Sequence, residues 1–302
     1  MPDELLTRLF ELKRERNAVI LAHNYQRPEV QDAADHTGDS LGLSRQAAKT
    51  DADVILFCGV QFMAETAAII CPEKTVLIPD RNAGCPMADM ISARELENAR
   101  AEHPRAAVVC YVNSSAQIKA MSDVCCTSAN AVGVVRSIPE DREVLFIPDQ
   151  SLGSWVAKQL GRELILWEGF CPTHHRMLPE HVQAARAAHP EAELVVHPEC
   201  LDEVVAEADE VASTSGMLRY CKESGARQFI IGTEIGMLHP LRTQNPAKQF
   251  FPVTGLADCP NMKLNTIEKM VWSLEDMRYV INVPPDIARR ARGAIDRMLE
   301  IK

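Results

Sequence analysis

The chain repeats one order of segments three times, with a period of about 87 residues, and this triplication limits the folds it can adopt. Each third opens with a short apolar run that ends in polar residues, at 18–24, 106–113 and 192–199. Short apolar runs that alternate with helices are typical of parallel sheets covered on both faces. We therefore expect an α/β protein of three homologous three-layer αβα sandwich units, arranged with pseudo-threefold symmetry around a central active site.

The repeat also predicts where the units and their strands lie. The units are expected to span residues 1–98, 99–185 and 186–302, with polar stretches near 97–104 and 183–191 between them. A second strand is expected within TDADVILFCG, MSDVCCTSAN and EADEVASTSG, and a third within KTVLIPD, EVLFIPD and RQFIIGTE. An amphipathic helix is expected before the first strand, and a helix over 284–301 is expected to close the chain.

The charge of the chain limits its partners. A formal charge of −10 and a pI of 5.4 argue against a nucleic-acid or anionic-membrane partner. The sequence has no apolar run near the roughly 18 residues that a membrane-spanning helix needs, and residues 1–20 lack the apolar core of a signal peptide. We therefore expect a cytoplasmic protein without nucleic-acid or membrane partners.

Three of the ten cysteines stand apart from the others. Cys85, Cys171 and Cys259 each precede a proline, follow a glycine closely and recur at intervals of 86 and 88 residues. Three thiolates leave an iron–sulfur cluster one protein ligand short, and an iron without a protein ligand can act as a Lewis acid. Zinc is the alternative metal, but the chain lacks the C-x-x-C pairs typical of structural zinc sites. The other cysteines are expected to be reduced and to pack in the core, namely Cys58, Cys71, Cys110, Cys125, Cys126, Cys200 and Cys221.

Polar side chains follow the opening strand of every unit. They are His23, Asn24 and Tyr25 in the first unit, Tyr111 and Asn113 in the second, and His197 and Glu199 in the third. Because ligands bind beyond the carboxyl ends of parallel strands, we expect these side chains to face one cavity. His197 and Glu199, separated by one residue, supply a base and an acid that suit proton transfer. An ordinary loop with a capping glutamate would have the same sequence.

Hydroxyl side chains recur near the start of a predicted helix in each unit. Ser40, Ser128 and the run Ser213 to Ser215 occupy comparable places. A helix N-terminus can bind an anion, although each hydroxyl taken singly could serve only as a helix cap. Their recurrence favours a shared anion pocket, and His174, three residues after Cys171, is expected at the same site.

At these residues the chain resembles the quinolinate synthase family. The resemblance is carried by AHNYQRPEVQDAADHTGDSLGLSRQAA, CGVQFMAETA, YVNSSAQIKAMSDVCCTSANAV, HPEC, STSGM, GTEIG and MKLNTIEKM, in that order along nearly the whole chain. The family implies a three-unit, pseudo-threefold fold and a transferase of NAD biosynthesis. That enzyme condenses iminoaspartate with dihydroxyacetone phosphate to quinolinate, with loss of phosphate and two waters.

The resemblance also implies a role for individual residues. Cys85, Cys171 and Cys259 correspond to the ligands of an oxygen-sensitive [4Fe–4S] cluster. His23, Tyr25 and Glu199 correspond to the acid–base groups. Substrate binding is implied for His23, Ser40, Tyr111, Asn113, Ser128, His174, His197, Glu199, Ser213 and Thr214. Cys259 has no cysteine near it, so a regulatory disulfide at that site is not supported.

Two other classes of protein remain as alternatives at this point. One is a redox or electron-transfer iron–sulfur protein, which would need a fourth cluster ligand. The other is a metal-free α/β module that binds small anions, in which the cysteines would be buried. If the chain is a quinolinate synthase, an aspartate oxidase or dehydrogenase must supply the unstable iminoaspartate. A transient contact with that enzyme is therefore an expectation.

Overall fold

The computed structural model describes residues 2–301 and contains three four-stranded parallel sheets, one in each third of the chain. Helices flank each sheet, which confirms the expected α/β class with three αβα units. The opening strands are buried along nearly their whole length because apolar side chains alternate onto both covered faces of the sheet.

The first sheet has the strand order β2-β1-β3-β4. The elements of this third are α1 (Pro2–Glu15), β1 (Ala18–His23), α2 (Pro28–Ala33), β2 (His36–Gly38), α3 (Ser40–Lys49), β3 (Val54–Cys58), α4 (Gln61–Ile70), β4 (Thr75–Leu77) and a 3-10 helix (Pro86–Asp89).

The second sheet repeats this order as β6-β5-β7-β8. Its elements are α5 (Ala93–Glu102), β5 (Ala107–Tyr111), α6 (Ala116–Ala120), β6 (Val124–Cys126), α7 (Ala131–Arg136), β7 (Val144–Ile147), α8 (Gln150–Leu160), β8 (Ile165–Leu166) and a 3-10 helix (His174–Arg176).

The third sheet has the same order again, β10-β9-β11-β12. Its elements are α9 (Pro179–Ala188), β9 (Glu193–Val196), α10 (Asp202–Ala206), β10 (Glu210–Val211), α11 (Thr214–Glu223), β11 (Gln228–Gly232), a 3-10 helix (Ile235–Met237), α12 (Leu238–Gln244), β12 (Gln249–Pro252) and a 3-10 helix (Met262–Leu264). Two further helices follow, α13 (Ile267–Asp276) and α14 (Pro285–Glu300).

The expected correspondence between strands was wrong in the first unit. The segment TDADVILFCG forms β3, whose place in the sheet order is that of β7 and β11, whereas MSDVCCTSAN and EADEVASTSG form β6 and β10. The true counterpart of β6 and β10 is β2, which the sequence did not predict. It is a three-residue edge strand with no apolar run and exposed or half-exposed side chains, so the pattern of burial carries no signal there.

The last two helices complete the first two units. Leu9 and Leu12 of α1 pack with Met270 and Leu274 of α13 beside the first sheet. The predicted terminal helix is present as α14, which packs against α6 and β6 of the second sheet. The polar stretches expected to separate the units lie largely within α5 and α9, and the unit boundaries stay a prediction. Within residues 2–301, no helix combines the length and the apolar character needed to cross a bilayer.

Candidate functional site

A cavity of about 130 Å³ lies where the three sheets present the carboxyl ends of their strands. Its lining includes thirteen of the fourteen predicted site residues: His23, Tyr25, Ser40, Cys85, Tyr111, Asn113, Ser128, Cys171, His174, His197, Glu199, Thr214 and Cys259. The remaining one, Ser213, is not a lining residue; its hydroxyl accepts the Gly216 N–H at 3.2 Å and caps α11. The structure thus brings the predicted residues together, and their individual roles stay predictions.

Each Cys-Pro pair at this cavity begins a tight turn. The carbonyl of Cys85 accepts the Ala88 N–H at 2.9 Å, that of Cys171 accepts the His175 N–H at 3.0 Å, and that of Cys259 accepts the Lys263 N–H at 3.3 Å. Proline suits the first position of such a turn because its φ is already fixed and it carries no N–H that would need a partner. The following N–H groups point back toward the sulfur and partly offset the rise in pKa that burial causes at each thiol, an arrangement that suits a thiolate or a metal-bound sulfur.

Exposure separates these three cysteines from the other seven. Cys85, Cys171 and Cys259 are partly exposed, whereas the seven expected in the core are all buried. Burial in the cavity wall nevertheless raises the pKa of each thiol in the trio, that of Cys85 to about 12. Negative charge on neighbouring thiols raises the pKa values of Cys85 and Cys171 further. A cationic metal group would remove this mutual repulsion, and thiolates are the ligands that iron–sulfur clusters use.

The spacing of the donors fits a cluster better than a single ion. A tetrahedral zinc ion holds its sulfurs roughly 3.8 Å apart. Among the described residues, the three thiols do not form a group whose ligand atoms all lie within 4.8 Å of one another. Cys171, His174 and Glu199 do form such a group. There, however, His174 Nδ1 already lies 2.8 Å from Glu199 Oε2 and 3.1 Å from Cys171 Sγ, so direct contacts occupy the space that an ion would need.

Glu199 is the buried charged centre of the cavity. The Tyr111 hydroxyl donates to Oε1, Asn113 Nδ2 donates to the same oxygen at 3.4 Å, and His174 Nδ1 lies 2.8 Å from Oε2. Burial alone would raise the pKa of Glu199, but the electrostatic effect of the nearby imidazoles of His174 and His197 and the hydrogen bonds from His174 and Tyr111 lower it below the ordinary value. Glu199 is therefore ionised at neutral pH and can act as a base.

His23 and His197 share one local arrangement. The Tyr25 N–H donates to His23 Nδ1 at 3.2 Å, and the Glu199 N–H donates to His197 Nδ1 at 3.3 Å. Burial lowers the pKa of His23 to about 4 and that of His197 to about 3, so both rings are neutral at neutral pH. Because a backbone N–H can only donate, Nδ1 is the acceptor in each ring and Nε2 carries the proton. His197 Nε2 accordingly donates to Ser128 Oγ, which is 3.2 Å away.

The hydroxyls near the helix starts are not all caps. Asp39, not Ser40, caps α3, because its carboxylate accepts the Gly42 N–H at 2.7 Å. The alternative that Ser40 serves only as a cap is therefore wrong. Asn24 Nδ2 donates to Thr214 Oγ1 at 3.1 Å, which leaves the hydroxyl proton of Thr214 for another acceptor. Ser40 and Thr214 thus line the cavity as hydroxyls with a helix N-terminus behind each.

Sequence reasoning missed four residues around the cavity. Thr233 and Glu234 follow β11 inside the GTEIG motif, and Lys263 lies in the MKLNTIEKM motif. The strand-end rule could have found Thr233 and Glu234, but it was applied only to the opening strands. Arg176 carries the one permanent positive charge among the described residues that line the cavity. Its sequence neighbourhood gave no signal, because the arginines and lysines are scattered along the chain.

Comparisons with known proteins agree on one family. The model of the NadA family, described as quinolinate synthetase A protein, matches residues 7–300. Quinolinate synthases from Methanosarcina barkeri and Geobacter metallireducens are each 54% identical over 299 residues, which cover 99% of this chain and 98% of each relative. The quinolinate synthase of Pelobacter propionicus is 56% identical over 292 residues, 96% of both chains.

Proposed function

The chain belongs to the quinolinate synthase family, an enzyme family, and from this premise we propose that it makes quinolinate for NAD biosynthesis. The proposed reaction condenses iminoaspartate with dihydroxyacetone phosphate and releases phosphate and two waters. The carbons and nitrogen of both substrates balance those of the product without any external oxidant or reductant. The site must therefore move protons and hold anions, and it need not pass electrons to a partner.

One observation carries this proposal. A single cavity receives one cysteine from each of three repeated units, together with a buried tyrosine–carboxylate pair made by Tyr111 and Glu199. Electron transfer does not require an acid–base pair such as Tyr111 and Glu199 beside the cluster. The partial exposure of the three cysteines into the cavity likewise argues against a metal-free module with a cysteine core.

The donor set fits the cofactor that the family implies. Cys85, Cys171 and Cys259 would hold a [4Fe–4S] cluster as its three protein ligands. When bound, such a cluster supplies a Lewis-acid iron for substrate oxygen and nitrogen, because one iron has no protein ligand.

The acid–base work is assigned to Tyr25, His23 and Glu199. Burial and the negative charge of Glu199 raise the pKa of Tyr25 well above its ordinary value, so its phenol keeps the proton and serves as an acid. Glu199, ionised and acceptor-only, serves as the base that takes a proton during enolisation or dehydration. Neutral His23 presents an N–H donor to the substrate through Nε2. Tyr111 and Asn113 orient Glu199 through their hydrogen bonds to Oε1.

The remaining lining residues are assigned to the carboxylates and the phosphate. Ser40 and Thr214 combine hydroxyls with the N-termini of α3 and α11, and Ser128 and His197 form a neighbouring hydrogen-bonded pair. Together with Arg176, these donors offset the formal charge of −10, which would otherwise repel anionic substrates. His174 lies between Cys171 and Glu199 and faces the same substrate. Supply of iminoaspartate through contact with an aspartate oxidase or dehydrogenase stays a prediction.

The test is quinolinate formation by anaerobically purified protein given dihydroxyacetone phosphate and freshly generated iminoaspartate, with iron and sulfide measured in the same sample. Product together with about four irons per chain is expected, and Cys171→Ala is expected to lose both. A full cluster without product would favour the electron-transfer alternative. Protein that binds no iron after reconstitution would contradict the assignment of the three cysteines.

A further inference from the structure

Lys119 is a basic side chain that the fold buries completely without a carboxylate partner. It lies in α6, is 0% exposed and makes no salt bridge with any described residue. Its Nζ instead donates to the Ser114 carbonyl at 2.6 Å and lies 5.3 Å from the centre of the Phe62 ring. The Phe62 carbonyl is a second, longer acceptor at 3.5 Å. Because a buried ammonium is costly, these contacts indicate a role beyond filling the core.

The two segments that Lys119 contacts belong to different units. Ser114 lies in the turn after β5 of the second unit, and its hydroxyl donates to the Tyr111 carbonyl at 2.9 Å. Phe62 lies in α4 of the first unit and lines the cavity. The same helix carries Glu65, whose Oε2 accepts the backbone N–H of the first residue of α6 at 2.9 Å. The first unit therefore contacts the second at both ends of the short segment between this turn and Lys119.

We propose that Lys119 is a positioning residue for the reaction, which fixes the turn that carries Tyr111 and Asn113 against α4 of the first unit. Tyr111 and Asn113 both donate to Glu199 Oε1. A shift of the turn would therefore move both donors away from the base together. The inference rests on the proposed function, because Glu199 is its general base. Lys119 is not among the residues that line the cavity, so it acts through the turn.

Gln31 of the first unit makes the equivalent contacts with a neutral donor. It is the fourth residue of α2, as Lys119 is the fourth residue of α6. Its Nε2 donates to the Asn24 carbonyl at 3.0 Å, in its own turn, and to the Gly236 carbonyl at 3.2 Å, in the third unit. Gly236 and Phe62 each lie four residues after the end of their strands, β11 and β3, which hold the same place in their sheets. Two of the three boundaries between units are thus bridged from the same helix position.

The third boundary lacks this bridge, so the fold does not require one. The fourth residue of α10 is Val205, which has no side-chain donor. Helix α10 contacts the second unit through Asp202 instead, whose carboxylate accepts the Ser154 hydroxyl at 2.9 Å and lies 2.7 Å from Lys158 Nζ, at a partly exposed site. A buried donor at this helix position is therefore a feature of particular units. In the second unit it lies beside the turn that supplies two donors to the base.

The experiment compares Lys119→Met with Lys248→Met in the anaerobically purified, cluster-loaded protein. Lys248 is a matched control, because its Nζ donates to the Cys221 carbonyl at 2.5 Å and lies 5.4 Å from the centre of the Phe229 ring, but it is not a lining residue. We expect Lys119→Met to lower kcat by about 100-fold, the cost of a misplacement of about 1 Å, with iron content unchanged. We expect Lys248→Met to stay within about twofold of the wild-type kcat. A wild-type kcat in Lys119→Met, or an equal loss in both variants, would overturn the proposal.

A double variant tests whether Lys119 acts through the turn. In protein that already carries Tyr111→Phe, the hydroxyl that the turn positions is absent. We therefore expect Lys119→Met to lower kcat by no more than about threefold further in that background. Losses that multiply would place the effect of Lys119 elsewhere and refute the proposal.

A further measurement does not depend on turnover, so failure of the proposed function can be told apart from failure of this inference. The chain has four tyrosines, and tyrosine labelled with ¹³C at Cζ therefore gives four resonances, of which the one missing in Tyr111→Phe belongs to Tyr111. We expect that resonance to shift in Lys119→Met and to keep its position in Lys248→Met. Lys119→Gln keeps an N–H donor on a shorter side chain, so it should fold even if Lys119→Met does not, and it should shift the resonance by less. An unchanged Tyr111 resonance in the Lys119 variants that fold would refute the positioning role, whether or not the wild-type protein makes quinolinate.

Discussion

Lys263 Nζ lies 2.8 Å from Glu234 Oε1, and this ion pair joins the segment that carries Cys259 to the turn that carries Tyr25. Glu234 Oε1 also accepts the backbone N–H of Cys259 at 3.2 Å, and Lys263 Nζ donates to the backbone carbonyl of Tyr25 at 2.5 Å. Thr233 and Glu234 are neighbours in the chain. Thr233 therefore contacts the Tyr25 hydroxyl directly, whereas Glu234 is linked to the Tyr25 carbonyl through Lys263.

Loss of the Lys263 ammonium group is expected to destabilise the segment that carries Cys259. Lys263→Met keeps the length of the side chain but leaves Glu234 and the Tyr25 carbonyl without their donor in a buried site. We expect the free energy of unfolding to fall by about 2 kcal/mol, and the protein to retain less iron after gel filtration. Burial raises the pKa of Glu234 to about 7 even beside Lys263, so without the ammonium its carboxyl would take up a proton rather than stay charged.

The matched control for that variant is Lys49→Met, at an exposed lysine in the last turn of α3. Urea unfolding and iron analysis on both variants measure the difference. Equal stability and equal iron content in Lys263→Met and Lys49→Met would show that the ion pair does not hold the segment.

The three cysteines of the cavity are expected to differ from a fourth Cys-Pro pair in iron binding. Replacing Cys85, Cys171 or Cys259 by alanine should abolish cluster retention, because two thiolates cannot hold the cluster that three would. Cys71 precedes Pro72 but is buried at the end of α4, where its thiol donates to the Ala47 carbonyl at 3.1 Å. Cys71→Ala should therefore keep its iron, and iron loss from this control as severe as from Cys171→Ala would contradict the assignment.

The sequence predicted those parts of the site that the triplication repeats. The near-equal intervals between the cysteines selected Cys85 and Cys171 before any contact was known. The polar ends of the opening strands selected His23 and Glu199 in the same way. Each of these positions follows from the geometry of a single unit, because the carboxyl ends of its parallel strands share one edge.

What the sequence could not predict depends on how the units meet. The Thr233 hydroxyl contacts that of Tyr25, 208 residues away, and Lys263 donates to the Tyr25 carbonyl, 238 residues away. The strand-end rule can place Thr233 at the edge of the cavity, but no local pattern encodes the contact that it or Lys263 makes with Tyr25. Strand β2 was missed for a different reason, since an exposed edge strand of three residues has no apolar period to detect.

Removal of the charge on Glu199 should affect catalysis far more than folding. Glu199→Gln keeps the size of the side chain but cannot accept a proton from the substrate, so we expect kcat to fall at least about 100-fold. Glu203→Gln, on the exposed face of α10, is the control and should be close to wild type. Quinolinate assays on cluster-loaded protein decide the question, and a wild-type rate in Glu199→Gln would remove this residue from the acid–base groups.

We expect Arg176 to bind the phosphate group of dihydroxyacetone phosphate. Its guanidinium is the permanent cation in the described lining of the cavity, and it is also anchored by a 3.2 Å bond to the Asp258 carbonyl. We expect Arg176→Gln to raise the KM for dihydroxyacetone phosphate by about tenfold, which corresponds to one charge-assisted hydrogen bond. The KM for iminoaspartate should change less. Arg219→Gln, at an exposed arginine of α11, should leave both values unchanged, and a KM for the phosphate substrate that does not move would exclude the role of Arg176.

The neutral state of His23 predicts how stability depends on pH. Burial lowers the pKa of His23 from 6.5 to about 4, so between these values the unfolded chain binds a proton that the folded protein does not. Stability is therefore lost as the pH falls through this window, by up to about 3 kcal/mol from this residue. His23→Gln should flatten the decline in unfolding free energy between pH 6.5 and pH 4, as measured by urea unfolding under anaerobic reducing conditions, whereas His36→Gln, at an exposed histidine, should not. A decline as steep in His23→Gln as in the wild type would mean that His23 is not the group whose protonation destabilises the fold.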